Sequence, residues 1–175
     1  HIYVASWKGA TFNWAGMDVG YVVRLSPKGF TAAPLPDFAK ASDADLVKLL
    51  ESPSHRTRLE AQRTLIRHGL VPKTFAAIEA LAADASKPIA TRVAAVFALK
   101  QASGANANAT LVKLAADSTI APWALRALTD REDQLANVSV QPALAALQSA
   151  DARTRKEGLV SLARWRGLTG VWADD

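Results

Sequence analysis

The chain has 175 residues, half of them apolar, a net charge of +5 and no cysteine. That length bounds it to one domain, or one domain with part of another. The missing cysteines exclude disulfides, thiolate zinc sites, Cys-ligated clusters and thioether-bound haem within these residues, and no run of 18 apolar residues exists to span a membrane as a helix. In chain order, Ile2-Tyr3-Val4-Ala5-Ser6-Trp7 and Tyr21-Val22-Val23-Arg24-Leu25 are β-branched and aromatic runs that predict strands. The stretch from Lys8 to Gly20 holds three glycines with Asn13 and Asp18, which makes it a loop. Residues 1–30 therefore predict a β-hairpin with a long tip. A lone hairpin is marginal in water, so these strands are expected to need partners beyond this sequence. The chain starts at His1 without the n-region or h-region of a signal peptide, and a mature or truncated start is the expectation.

Residues 31–41 read as a linker. Pro34-Leu35-Pro36-Asp37 interrupts regular hydrogen bonding, and beyond it the apolar period changes from 2 to about 3.6. Ser42 caps a first helix whose inner face carries Leu46, Val47, Leu49 and Leu50. Ser52-Pro53-Ser54 breaks it, and a second helix runs to His68, closed by Gly69. Three further pairs are expected: 73–83 with 90–101, 107–116 with 122–135, and 141–148 with 152–166, the last closed by Gly167. Residues 168–175 carry no polar capping helix, so the last unit is expected to continue into further sequence.

One alignment defines the repeat. Arg58, Ala61 and Leu65 correspond to Arg92, Ala95 and Leu99, then to Ala121, Ala124 and Leu128, and finally to Arg155, Gly158 and Leu162. Spacings of three and four residues recur in each set, and the sets are offset by 34, 29 and 34 residues. Such a period predicts stacked helical pairs, because one pair cannot bury its apolar face alone. The small residue at Ala61, Ala95, Ala124 and Gly158 allows close helix approach. Arg58, Arg92 and Arg155 are expected to reach carbonyls or acids of a neighbouring unit.

A short helix, a tight Asp/Ser/Pro turn and Arg-x-x-Ala-x-x-x-Leu on the following helix resemble the HEAT repeat, most clearly over Leu50–Ala61. The resemblance covers about 125 residues, from 42 to 167. It implies a mainly α fold, an α-solenoid of about four hairpins, and protein binding, with little said about activity. Ile2–Trp7 and Gly20–Leu25, with the linker and first helical pair, are similar to the junction in large secreted bacterial proteins. There a β-propeller like that of soluble quinoprotein sugar dehydrogenases precedes HEAT repeats and often a c-type haem domain. That resemblance implies a periplasmic or secreted parent, a dehydrogenase whose quinone and haem lie outside this chain. A cytoplasmic location stays open, since a cysteine-free chain fits either compartment.

No complete catalytic site is legible in the sequence. Lys8, Asn13, Trp14 and Asp18 on the hairpin loop are candidates for lining a cofactor or substrate mouth, with an ordinary exposed loop as the competing account. His1, His55 and His68 lack partners at ligand spacing, so no metal site is expected; His68 instead suits the negative end of its helix. Arg56, Arg63 and Arg67 share one helix face, and Arg153, Lys156, Arg164 and Arg166 load the last helix. A nucleic-acid ridge is the alternative there. Glu60 is expected to pair with Arg56 and Arg63, Glu157 and Asp151 dilute the last helix, and no aromatics interleave a basic run. A solvated, partly ion-paired face is the expectation. Asn108-Ala109-Thr110 and Asn137-Val138-Ser139 match the N-glycosylation pattern at a frequency expected by chance.

Overall fold

The computed structural model describes residues 2–7, 20–135 and 138–165. The chain divides into two compact units, 1–35 and 36–175. The first holds strands β1, Ile2–Trp7, and β2, Gly20–Leu25, paired antiparallel with Ile2 opposite Leu25 and Trp7 opposite Gly20. The register puts Ile2, Leu25, Val4 and Val23 on one face and Tyr3, Val22 and Trp7 on the other. Apart from Arg24 on the second face and Ser6 on the first, both faces are apolar, and both are open, with Ile2 66 % and Val22 68 % exposed.

The second unit is mainly helical. Its helices are α1, Asp43–Leu49; α2, His55–His68; α3, Pro72–Ala83; α4, Ile89–Ser103; α5, Asn108–Leu114; α6, Ala121–Leu128; α7, Gln141–Ala146; and α8, Ala152–Trp165. Consecutive helices pack in pairs, α1 on α2 through α7 on α8. The pairs join mainly along the even-numbered row, α2 on α4, α4 on α6, and α6 on α8.

Local chemistry sets the ends. Ser42 Oγ accepts the Asp45 amide at α1, Ser54 Oγ accepts the Thr57 amide at α2, and Asp151 accepts the Thr154 amide at α8. Gly69 and Gly104 end α2 and α4 at positive φ, which other residues adopt only with strain. Leu46, Leu50, Ala61, Leu65, Ala95, Leu99, Ala124 and Leu128 are fully buried in a core that continues from α1 to α6. Ala and Leu positions of the first three sets of the repeat alignment therefore lie in this core, whereas Leu162 of the fourth packs on a separate small cluster of Leu125, Ala143 and Ala146. Phe38 and Ala41, placed in the linker by the sequence, pack against this core.

One boundary differs from the sequence reading. The helix expected over 122–135 ends at Leu128. Thr129 is buried, and its hydroxyl bonds back to the Leu125 carbonyl at 3.0 Å. Asp130, Glu132 and Asp133 follow, and carboxylates at a helix C-terminus oppose its dipole. Only a 3-10 turn, Glu132–Gln134, forms beyond it.

Candidate functional site

Three arginines fasten the helical pairs. Arg58 donates to the Ser52 and Pro53 carbonyls at 2.7 and 3.0 Å. Arg155 repeats that pattern on the Ser149 and Ala150 carbonyls, both at 2.8 Å. These two clasp the turn of their own pair, where a neighbouring unit was expected. Arg92 follows a turn of the same length, 84–88, but reaches further. Its Nε donates to the Ala82 carbonyl at 2.9 Å, and its Nη2 donates to Asp117 in the next pair at 2.6 Å.

Asp117 also accepts the Thr119 amide and hydroxyl. The Thr119 hydroxyl, with Arg92 second, holds its carboxyl down at about 2. The third unit carries Ala121 at the repeat's arginine position, and it receives the second unit's Arg92 instead. A signal for this existed in the sequence: Leu-Ala-Ala-Asp occurs at 81–84 and again at 114–117. It marks equivalent turns whose aspartates cap by side chain, Asp84 on Ser86 and Asp117 on Thr119.

Two further clusters are polar and partly buried. Asp43 Oδ1 lies 2.9 Å from His68 Nδ1, and Asp43 Oδ2 accepts from Thr74, so one carboxylate joins α1, α2 and α3. The bond to His68 is the largest influence lowering its pKa. Lys100 is buried, and its Nζ donates to Asn108 Oδ1 at 2.8 Å, while Asn108 Nδ2 donates to the Gln134 carbonyl. Burial pulls the Lys100 ammonium below the ordinary lysine range. Asn108 is thus committed to the interior and is no acceptor for a glycan; Asn137 lies outside the described residues, as do the loop candidates Lys8, Asn13, Trp14 and Asp18, and also Arg166 and Gly167. Among the described residues no group of three His, Cys, Asp or Glu could hold a metal, and no helix is long and apolar enough to cross a membrane.

The basic residues divide into engaged and open sets. Arg63 pairs with Glu60 at 2.9 Å, and Arg67 donates to the Thr64 hydroxyl. On the far pairs the arrangement differs. Trp123 of α6 lies under the Arg153 guanidinium of α8, 5.1 Å from ring centroid to Cζ. With Pro122, Arg126, Lys156 and Glu157 they line a cleft of about 350 Å³. The sequence reading found no aromatic interleaved with basic residues, because Trp123 and Arg153 are 30 positions apart and meet only through the α6–α8 packing. A second cleft of about 570 Å³ is apolar, lined by Val112, Ala115, Pro142 and Ala145 where α5 and α7 stand apart. Comparison of the chain with protein-family models, curated proteins and solved structures finds no match.

Proposed function

We propose that this chain is a HEAT-type α-solenoid acting as a non-catalytic scaffold and protein-docking segment of a multidomain, periplasmic, dehydrogenase-like oxidoreductase. The observation that carries the reading is the hairpin of β1 and β2. Two strands that are apolar on both faces match a sheet interior, where each face is covered, and the hairpin's faces are open instead. A propeller blade supplies such partners. The helical unit supports the scaffold role. Its buried stripe recurs at the spacing of the repeat alignment, and Arg92 ties one pair to the next. Such a stack holds what is attached to its two ends at fixed separation.

The quinone and c-type haem of this reading are carried by other residues of the parent. The chain has no cysteine for thioether attachment, and its described residues bring no ligand cluster together. The test is a visible absorption spectrum of the intact parent protein, oxidised against reduced. Haem bands that shift when a sugar or alcohol is added are the expected result. A featureless spectrum with no extractable quinone would overturn the oxidoreductase reading and favour a free-standing HEAT-like binding module. The basic cleft between α6 and α8 is the feature that favours this second reading, whose partner is a protein or nucleic acid.

A further inference from the structure

We propose that the cleft between α6 and α8 binds an acidic peptide segment, whose carboxylates are received by Arg126, Arg153 and Lys156 beside the ring of Trp123. The proposal rests on the docking role given above and names the partner's chemistry. The three cations are exposed, and within the described residues none of them makes an ion pair. Each would repel the others until an anion neutralises them. Arg153 is already placed at the cleft: its guanidinium carbon lies over the Trp123 ring, 5.1 Å from the centroid, within cation–π range. The ring contact is attractive but leaves the positive charge unneutralised. Two carboxylates are near. Glu157 lines the cleft but is 7 % exposed, and Asp151 is engaged in capping α8 through Thr154. Asp151 remains exposed and acts on Arg153 at coulombic range, so three cations face one open carboxylate and the described surface is net cationic.

Shape separates peptide from nucleic acid. The cleft holds about 350 Å³, room for a few side chains, and belongs to one pair of helices. The corresponding cleft between α2 and α4 is lined by Leu59, Gln62, Val93 and Phe97, and its Arg58 is already bonded to the Ser52 and Pro53 carbonyls. Asp130, Glu132 and Asp133 follow α6. A phosphate backbone needs a continuous basic track, and here the track stops after one cleft.

The test uses the 175-residue chain, a fluorescein-labelled dodecapeptide of alternating Glu and Gly, and a labelled single-stranded oligonucleotide of equal length, with fluorescence anisotropy at fixed salt. Arg126→Glu with Arg153→Glu is expected to weaken peptide binding by about tenfold, whereas Arg56→Glu with Arg63→Glu leaves it within about twofold because those charges lie off the cleft. Circular dichroism checks that both variants keep the wild-type melting temperature, and Arg126→Gln with Arg153→Gln serves if charge reversal unfolds the chain. Equal losses from the two double variants, no peptide binding by the wild type, or tighter binding of the oligonucleotide would each overturn the proposal. These readouts concern this cleft alone, so their failure is distinct from a featureless spectrum of the parent.

Discussion

Replacing Arg92 with methionine tests the link between the second and third helical pairs. Methionine keeps most of the apolar stem and removes the guanidinium. Arg92 is 2 % exposed, so water cannot easily take over its bonds to the Ala82 carbonyl and to Asp117. Removing one partner of a fully buried ion pair costs about 3–5 kcal/mol. Here the cost is smaller, because Asp117 keeps 32 % of its side chain in solvent and retains both Thr119 donors. The Ala82 carbonyl, left without the arginine, adds about 1 kcal/mol. We expect a net loss of about 2–3 kcal/mol, or about 5–10 °C in melting temperature for a chain of this size. Urea denaturation followed by far-UV circular dichroism gives the value. Combining Arg92→Met with Asp117→Asn should show a coupling of about 1–2 kcal/mol. Arg58→Met, whose carbonyl partners sit on a half-exposed turn, should cost about 1 kcal/mol. An Arg92→Met variant within about 0.5 kcal/mol of wild type, the ordinary range for surface changes, would refute the reasoning.

Three other outcomes follow from the same contacts. A Cβ at Gly158 would lie 2.9 Å from the Ala143 carbonyl and 3.1 Å from Ala146 Cβ. Gly158→Ala should therefore lower the melting temperature, since shifting α7 costs about 1–3 kcal/mol and the gain in helix propensity is about 1 kcal/mol; a raised melting temperature would contradict the close approach. Asp117 has its pKa depressed from 3.8 to about 2, so its stabilisation is complete above 3.8 and is lost as pH falls toward 2. That stabilisation is about 1–2 kcal/mol after allowance for its exposed third, and Asp117→Asn should remove this segment of the acid unfolding curve. Burial lowers the Lys100 pKa beneath 10.5, so the unfolded chain holds that proton more tightly and wild-type stability gains a rising component as pH climbs toward 10.5. The difference between wild type and Lys100→Met in urea midpoint should grow with pH over that range, and parallel curves would show that Lys100 is not desolvated.

The parts of this molecule that were legible in its sequence are those governed by local pattern. Strand runs at 2–7 and 21–25, the Ser42 cap, the Ser52–Ser54 break, the Gly69 end of α2 and the buried Ala and Leu stripe all follow from neighbours within a turn or two. The end of α6 was misplaced because apolar spacing continues to Leu135 while the buried Thr129 hydroxyl and the acidic 130–133 stretch stop the helix. Longer links were legible only in outline: Arg92 reaches an acid of the neighbouring unit as expected, but the partner itself was not indicated. His68 with Asp43, Arg92 with Asp117 and Trp123 with Arg153 join positions 25 to 30 residues apart. Their separation is close to the repeat length, so stacking brings them together, but the pattern that reveals the repeat does not say which side chains meet. Arg58 and Arg155 show the converse: identical motifs gave identical clasps, on their own turns.

The division into one helical unit, whose main core runs from α1 to α6, and one hairpin open on both faces is the central claim, and hydrogen exchange on the 175-residue chain tests it most directly. Amides of α2, α4 and α6 should share high protection and open together, as a cooperatively packed stack does, while the amides of β1 and β2 exchange with little protection. If the proposed parent supplies a covering sheet, adding its flanking sequence should raise protection in the strands alone. Strand amides as slow as those of α4 in the 175-residue chain would contradict the account, because the hairpin would then be stable without the partners its exposed faces call for.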